Sequence, residues 1–487
     1  MRYPSLLNRE RASGKLLGEE IFEDLKLTLL LGPETIDAMR EPAASEDIPV
    51  RQSLFRELFN PQVRESYIRL AADAGEIGRL ASALADVRCD NERNCVYASL
   101  ASAVVRFCED AEKAGGESFF AERFRESFKR ETKTEEFKAV SEACLNLAPM
   151  LREVRVNCFR ISGETLRIRT ESDVTVVSRL KKCAADLGLP ESRVVRELET
   201  HMNPRFVNAV AMLRPECFIA FREFYEKYSG FYSEEILKYR SELNFYLEIS
   251  AVMDTLRKNG MPVCMPAVSS ERHISIQGLR DISLLCKDET NIVPNDAEFT
   301  EEEPFFFLTG ANGGGKTTYL RGVGIATVFF LCGCPICADS AEIFPLDGVF
   351  THFPRDERFD SEGRFADEQR RVGEIMKQHA GNSLVLLNET YSTTSEEIAV
   401  ELTAKLAETF FDSGSFGIYI THQHGIGQSR IPFLAVLVDV GDKNRRTYRI
   451  ARQRAASRSF AEDILKKYGL TREALNARFP AGKEAAR

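Results

Sequence analysis

The feature that most constrains this chain is a glycine-rich loop placed between an apolar strand and a helix. Residues 303–318 read EPFFFLTGANGGGKTT, and the segment from Gly310 to Thr317 fits the pattern G-x-x-x-x-G-K-[ST]. In such a loop the backbone N–H groups and the positive end of the following helix surround phosphate oxygens. The alternative is a glycine-rich turn with an incidental lysine, but the flanking strand and helix separate this match from a chance one. The pattern predicts a nucleotide-binding P-loop in an α/β domain.

The loop residues have separate predicted roles in holding ATP and Mg²⁺. Lys316 is expected to reach the β- and γ-phosphates, and the Thr317 hydroxyl is expected to ligate Mg²⁺. The predicted ATP-binding residues are Gly310, Ala311, Asn312, Gly313, Gly314, Gly315, Lys316, Thr317 and Thr318.

A second apolar segment, about 70 residues further along the chain, ends in an acidic residue. Residues 383–387 read SLVLL and are followed by Asn388 and Glu389. A buried parallel strand can deliver such an acid beside the P-loop, so Glu389 is predicted to orient and activate the attacking water. An ordinary surface ion pair is the alternative. Asn388 stands where an Asp usually helps to hold the metal, so Thr317, Asn388 and Glu389 are the predicted metal ligands, and hydrolysis is predicted to be slow.

A third predicted strand, residues 416–420, is followed by Thr421 and His422. Because ligands bind at the carboxyl edge of a parallel sheet, this position predicts that His422 is catalytic and senses the γ-phosphate. A strand-end histidine that only bonds the backbone is the alternative.

Composition and charge narrow the class of protein. The chain has 487 residues, 44% apolar and 29% charged, and a net charge of −9, which argues against a basic nucleic-acid coat protein. No apolar segment is long enough to serve as a signal sequence or to span a membrane, so we predict a soluble, cytoplasmic protein. The CxCxxC cluster Cys332, Cys334 and Cys337 is predicted to pack as small hydrophobes, with a zinc or redox site as the alternative.

The segments before the P-loop differ in the spacing of their apolar residues. Residues 18–148 show apolar residues at helical spacing, and residues 152–177 alternate in the manner of strands around a Ser-Gly turn. Helices resume after residue 190, and Ser233–Lys258 is predicted to be the longest uninterrupted one. From about residue 274 the pattern becomes alternating strands and helices.

Several of these residues together resemble one family. The segment TGANGGGKTTYLR is similar to TGPNMGGKSTYMR of the MutS family of DNA mismatch-repair ATPases, including Asn312, Tyr319 and Arg321, which a generic P-loop does not require. The similarity continues through residues 343–351, through 386–395 and through Thr421-His422. It covers roughly residues 290–470 well and the preceding helices more loosely.

The resemblance implies a multidomain fold: an α-helical core and lever with a small clamp-like insert, followed by an α/β P-loop ATPase domain of the ABC type. It also implies a homodimer in which a signature loop of the partner subunit, here Ser361, Gly363 and Arg364, contacts the nucleotide. A flexible loop with incidental charge is the alternative for that segment. The mismatch-reading and connector domains of the family are predicted to be missing. The predicted divisions are a helical core at 1–150, a clamp-like insert at 151–215, a lever helix and return at 216–273, the ATPase domain at 274–470 and a tail at 471–487.

DNA is the predicted partner. Between residues 151 and 215, Lys and Arg outnumber Asp and Glu by twelve to eight in an otherwise acidic chain, and by resemblance this is where a clamp would grip DNA. A solvated charged face is the alternative. A second basic run, Lys443 to Arg458, overlaps a predicted hairpin and could face DNA or a partner subunit. Phosphate contacts are predicted for Arg160, Arg167, Arg169, Lys181 and Lys182.

Three functions compete at this point. The first is an ATPase that switches a dimeric DNA-binding clamp in DNA repair or recombination, without recognising single mismatches. The second is a nucleotide-gated scaffold that barely hydrolyses ATP because of Asn388 and recruits protein partners. The third, a transporter-type ATPase subunit, is disfavoured because helical and clamp-like segments replace any membrane-coupling subunit.

Overall fold

The computed structural model divides into two compact units, and each unit is formed by two separate stretches of sequence. Unit 1 comprises Met1–Arg9 and Ser53–Leu247, and unit 2 comprises Glu10–Gln52 and Glu248–Arg487. The five-part division made from the sequence stays a prediction. The structure describes residues 3–9, 16–155, 157–162, 165–170, 204–287, 292–354, 361–379, 381–391, 395–423, 426, 429–438 and 446–453.

Unit 1 is built mainly of helices, as the apolar spacing predicts. In its longest described helix, Pro61–Ala85, the Asn60 side chain accepts a hydrogen bond from the Gln62 N–H at 2.9 Å and caps the first turn. Tyr67 and Leu70 on that helix are buried. Further described helices of this unit are Asp90–Glu112, Phe119–Glu131, Glu135–Arg155, Pro204–Leu213 and Pro215–Tyr228.

A two-stranded hairpin interrupts these helices where the alternating pattern predicts strands. Strand β1, Asn157–Ser162, pairs antiparallel with strand β2, Thr165–Thr170. The preceding helix runs to Arg155, so the strands begin a few residues later than the alternation suggested.

The helix predicted to be the longest is shorter than expected. A 3₁₀ turn, Glu234–Leu237, precedes the α-helix Lys238–Lys258, whose 21 residues fall below the 25 of Pro61–Ala85. The Ser233 hydroxyl accepts a hydrogen bond from the Glu235 N–H at 3.4 Å and starts the 3₁₀ turn. Apolar residues three and four apart fit both kinds of helix, so periodicity could not detect this change. The prediction of one uninterrupted helix from residue 233 was therefore wrong.

The described residues of unit 2 form two sheets. In the larger one the strand order is β12-β11-β6-β10-β9-β8, and the strands are parallel except for β12. In the smaller one the order is β3-β7-β4-β5. The strands are β3 Ala267–Val268, β4 Ile274–Leu279, β5 Asn295–Phe299, β6 Phe305–Thr309, β7 Ser340–Ile343, β8 Gly348–His352, β9 Ser383–Asn388, β10 Phe416–Ile420, β11 Phe433–Val438 and β12 Arg446–Gln453.

Helices pack around the larger sheet, whose strands β9 and β10 are buried along their whole length, as expected for parallel strands. The chain thus has a helical N-terminal region followed by a mixed α/β region, which confirms the predicted order of fold classes. In sequence, two helices cross the boundaries between the units: Ile48–Leu58 and Lys238–Lys258. The helices that the structure describes within unit 2 are Glu19–Asp24, Leu27–Leu30, Pro33–Met39, Lys316–Leu331, Ser361–Gln378 and Glu396–Asp412, with a 3₁₀ helix at Ile282–Lys287.

The helix Lys316–Leu331, which we call the P-loop helix, lies very close to the sheet and to the N-terminal part of unit 2. A Cβ atom at Gly324 would lie 2.5 Å from a methyl carbon of Leu25 and 2.8 Å from one of Leu386, so only glycine permits this approach. The Ala43 N–H donates to the Leu331 carbonyl at 2.8 Å. Residues from the beginning of the chain are therefore part of the core that positions the P-loop.

The CxCxxC cluster lies at the end of the P-loop helix. Cys332, Cys334 and Cys337 are buried, and burial raises the pKa of the Cys332 and Cys337 thiols to about 12. Protonated thiols at these positions behave as small apolar groups, as the packing interpretation expects. Within the ranges that the structure describes, no group of three or more His, Cys, Asp or Glu side chains could hold a metal ion.

Among the described residues, none of the helices is both long enough and apolar enough to pass through a bilayer.

Candidate active site

The parallel strands bring the predicted site residues to one edge of the larger sheet. The P-loop leaves the carboxyl end of β6, and β10 and β9 follow it in the strand order. The Glu389 N–H donates to the Ile420 carbonyl at 3.0 Å, and the Thr421 N–H donates to the Leu308 carbonyl at 3.1 Å. The backbone ladder therefore continues past the strand ends and fixes Glu389 beside the residue that precedes His422.

The ammonium group of Lys316 contacts oxygen atoms of the P-loop. Its Nζ donates to the Gly310 carbonyl at 2.9 Å, to the Ala311 carbonyl at 3.2 Å and to the Asn312 Oδ1 at 3.4 Å. Burial lowers the pKa of Lys316 to about 8, although the negative charge of Glu389 acts in the opposite direction. The ammonium group is thus surrounded by oxygen atoms at the place where a phosphate-binding lysine is needed.

Thr317 and Asn388 meet between the P-loop helix and strand β9. The Thr317 hydroxyl donates to the Asn388 Oδ1 at 3.5 Å, and Asn388 is buried. A hydroxyl oxygen and an amide oxygen are both ligands that Mg²⁺ accepts, so the pair fits this cation. An amide supplies no negative charge, which weakens the pair in comparison with a carboxylate.

Glu389 and His422 form a pair at the sheet edge. The His422 Nε2 lies 2.9 Å from the Glu389 Oε1, and each side chain is a little over a third exposed. The hydrogen bond from His422 is the main cause that lowers the pKa of the Glu389 carboxyl, which therefore stays ionised at neutral pH. His422 thus bonds a side chain, unlike the backbone-bonded alternative, and Glu389 is paired with the other residue predicted to be catalytic.

A set of hydrogen bonds that sequence reasoning missed supports the turn after Glu389. The Tyr419 hydroxyl donates to the Thr390 carbonyl at 2.6 Å and lies 3.0 Å from the Thr403 hydroxyl. The Thr390 hydroxyl lies 3.0 Å from the His352 Nδ1. All four side chains are buried. Polar atoms in fully buried strands must find partners, and Tyr419 in an otherwise apolar strand was the available signal.

A buried ionic cluster joins the P-loop helix to the helix Ser361–Gln378. The Asp24 Oδ2 lies 3.0 Å from the Arg371 Nη2 and accepts a hydrogen bond from the Thr351 hydroxyl at 2.8 Å. The Arg321 Nε donates to the Asp24 carbonyl at 3.3 Å. Arg321 is one of the residues that a generic P-loop does not require, and its role here is to contact the N-terminal segment of unit 2.

Other predicted site residues lie elsewhere or outside the described ranges. The backbone of Ser361, Gly363 and Arg364 forms the first turn of the helix Ser361–Gln378, so these residues are helical, whereas a loop was predicted. The first turn of a helix leaves N–H groups without intrahelical partners, which a nucleotide could use. Arg160, Arg167 and Arg169 lie in the hairpin of unit 1, whereas Lys181 and Lys182 lie outside the described residues.

Comparison with known proteins shows which family this part of the chain resembles. Residues 306–474 match the family model of MutS domain V. Over 164 residues the chain is 30% identical to the DNA mismatch repair protein Msh3 of Homo sapiens, covering 33% of this chain and 14% of that protein. It is 34% identical over 119 residues to the DNA mismatch repair protein MutS of Petrotoga mobilis, covering 24% and 15%. For the MutS protein of Chlorobaculum tepidum the identity is 29% over 223 residues, covering 44% and 25%.

The chain therefore spans a quarter or less of the length of these relatives. The matched segment begins within β6 and includes the P-loop, Glu389 and His422. Residues 306–474 thus match MutS domain V, an ATPase domain, and the chain has distant similarity to the MutS and Msh3 mismatch repair proteins.

Proposed function

We propose that this chain binds and hydrolyses ATP at the P-loop and that the nucleotide cycle switches a dimeric DNA-binding clamp, without recognition of single mismatches. The observation that carries the proposal is the Glu389–His422 pair, 2.9 Å apart, at the sheet edge that also holds the P-loop. The relatives named as DNA mismatch repair proteins favour DNA as the partner.

Each site residue has a separate role in the proposed hydrolysis. When ATP binds, its phosphate oxygens replace the P-loop oxygens as the partners of Lys316. The N–H groups of the loop contact the same phosphates. A water oxygen attacks the γ-phosphorus while the bond to the β–γ bridging oxygen breaks, and that oxygen leaves with ADP. Glu389 accepts a proton from the attacking water. The His422 Nε2–H group donates to one carboxylate oxygen of Glu389 and leaves the other oxygen free for the water.

Thr317 and Asn388 are the side chains that would hold Mg²⁺. The bound cation would neutralise phosphate charge during the reaction. Because the Asn388 amide is uncharged, we expect weaker metal binding and slower turnover than with Asp at this position.

Two substitutions test the ATPase proposal. Lys316→Ala should abolish ATP binding, and Glu389→Gln should abolish turnover while ATP still binds, because the amide cannot accept the water proton. Isothermal titration calorimetry and phosphate release measure the two effects separately. Glu401→Gln, which changes an exposed carboxylate on the helix Glu396–Asp412, is the matched control. Wild-type turnover in Glu389→Gln would contradict the assignment.

The scaffold function remains as a second candidate because of one contact, the 3.5 Å hydrogen bond from the Thr317 hydroxyl to the neutral Asn388. Asn388→Asp discriminates between the two functions. A large gain in turnover would favour a scaffold that holds ATP without using it. Robust wild-type hydrolysis that Glu389→Gln removes would favour the enzyme.

A further inference from the structure

The basic run that begins at Lys443 brings a second positive charge to the P-loop. We propose that Arg446, the first residue of β12, binds the terminal phosphates of the nucleotide together with Lys316 of the same chain. This inference rests on the proposed binding of ATP. It assigns to the nucleotide a residue that the charge pattern alone would give to DNA or to a partner subunit.

The position of the guanidinium group carries the inference. The Arg446 Nη1 donates a hydrogen bond to the Asn312 carbonyl, at the tip of the P-loop. The Asn312 side chain is also bonded to the Lys316 Nζ. Two cations thus approach the same residue of the loop, and they repel each other until an anion lies between them.

The backbone of β12 is held on both sides near this arginine. On one side Arg446 pairs with Val438 of β11. On the other side the Asn295 side chain donates to the Tyr448 carbonyl at 3.0 Å and accepts from the Ile450 N–H at 2.7 Å. The strand that carries Arg446 is therefore fixed relative to the P-loop, and its placement is not that of an unattached surface arginine.

The P-loop itself leaves room for the guanidinium group at Gly313. A Cβ atom at Gly313 would lie 3.2 Å from the Arg446 Nη1 and 3.6 Å from its Cζ. The Gly313 φ angle of +67° also disfavours other residues. The family motif has Met at this position, so this chain lacks a side chain where its arginine approaches. Gly313 thus leaves space where the Arg446 guanidinium group approaches the loop.

The chemistry of the contact favours phosphate over the carbonyl that the arginine now binds. A guanidinium group presents parallel N–H donors that match two phosphate oxygens, and such charge-assisted bonds are stronger than bonds to a neutral carbonyl. The Arg446 side chain is exposed, so it can turn from Asn312 to a phosphate with little loss of packing. Lys316 lies at the end of the loop that meets the β- and γ-phosphates, so the effect should be larger for ATP than for ADP.

Arg446→Gln and Arg446→Lys test the assignment by calorimetric titration with ATP, ADP and AMP in the presence of Mg²⁺. Removal of a charge-assisted hydrogen bond should weaken ATP binding by about tenfold or more in Arg446→Gln, and ADP binding by less than about threefold. Arg446→Lys should recover only part of the affinity, because it keeps the positive charge but lacks the parallel N–H donors of the guanidinium group. Arg452→Gln, which changes an arginine of the same strand that pairs with Glu303, should leave the ratio of the ATP and ADP affinities unchanged.

Two results would overturn the inference: an equal change for ATP and ADP in Arg446→Gln, or a change in DNA affinity with unaltered discrimination between the nucleotides. The thermal midpoints of the variants without nucleotide show whether each one is folded. Lys316→Ala distinguishes a wrong role for Arg446 from a failure of the proposed ATP binding. If Lys316→Ala loses ATP while Arg446→Gln does not alter the ratio, only the role of Arg446 is wrong.

Discussion

At the scale of single residues, the most informative group is the Lys316 ammonium. It is 5% exposed, and three oxygen atoms of the P-loop lie within hydrogen-bonding distance of its Nζ. A group buried to this extent loses its proton at a lower pH than a lysine in water does. The chemistry of ATP binding should therefore depend on pH near neutrality.

Affinity for ATP should fall as the pH rises through about 8, the pKa to which burial lowers Lys316. The phosphates bind the protonated amine, so the apparent association constant should be nearly constant below about pH 7 and decrease about tenfold per pH unit well above the pKa. Titrations with ATP between pH 7 and pH 9 measure the decrease. The Lys316→Arg variant, whose guanidinium does not titrate in this range, is the control. An equal decrease in that variant would assign the effect to another group.

At the scale of elements, the turn after β9 is held in an uncommon conformation. The φ angles of Glu389 and Tyr391 are +52° and +64°, a region that residues other than glycine seldom adopt. The Tyr419 hydroxyl fixes the residue between them by its 2.6 Å bond to the Thr390 carbonyl. Strain of this kind persists where the surroundings determine the backbone, and here they aim the Glu389 carboxylate.

Tyr419→Phe should therefore lower turnover by about tenfold while the ATP dissociation constant changes by less than about twofold, because a small misplacement of the base slows the chemical step. Steady-state phosphate release and calorimetry measure the two quantities. Tyr246→Phe in unit 1 removes a similar bond, from a buried hydroxyl to the Leu6 carbonyl at 2.8 Å, and should leave turnover unchanged. A parallel loss of turnover in both variants would point to general destabilisation.

The ionic cluster around Asp24 makes a prediction about stability. Asp24→Ala should lower the unfolding free energy of unit 2 by about 3 kcal/mol, since it leaves the buried guanidinium of Arg371 without its carboxylate. Denaturant unfolding followed by circular dichroism measures the decrease. Glu374→Gln on the same helix disrupts the exposed pair with Arg370 and should change stability by less than about 1 kcal/mol. Similar values for the two variants would show that burial does not strengthen the inner pair.

Some of these elements could be predicted from the sequence and others could not. The P-loop, the strands β9 and β10 and the hairpin in unit 1 follow from short, local patterns, because each depends on neighbouring residues. The contact of Asp24 with Arg371 joins residues far apart in the chain, and no local pattern reports it. The same holds for the meeting of Arg446 with the P-loop. Glu389 and His422 were individually predicted, whereas their pairing needed the strand order.

At the scale of the whole molecule, the hairpin of unit 1 bears on the proposed DNA partner. Arg160 pairs directly with Arg167 across the hairpin of unit 1, and Arg169 lies two residues beyond Arg167 on β2. This register concentrates positive charge on one short ribbon. Binding of DNA through such a ribbon should depend on salt and not on base sequence.

Replacement of all three arginines by Gln should weaken DNA binding and reduce the slope of log affinity against log salt by about 0.9 for each phosphate that the hairpin no longer neutralises. Titration of duplex, branched and single-stranded DNA at several salt concentrations, with and without ATP, measures both quantities. An unchanged slope would remove the hairpin from the DNA surface. The control is the replacement by Gln of three exposed arginines on helices of the same unit: Arg69, Arg79 and Arg130.

The two-part origin of unit 2 has a consequence for how the protein is made. Residues 10–52 are synthesised before Ser53–Leu247, whereas the P-loop helix that contacts Leu25 and Ala43 is translated only after that whole stretch of unit 1. The apolar side chains of residues 10–52 therefore stay uncovered until the P-loop helix has been synthesised. A recombinant fragment that starts at residue 274 would lack this layer altogether, and we expect it to accumulate in inclusion bodies unless residues 16–52 are supplied in the same cell.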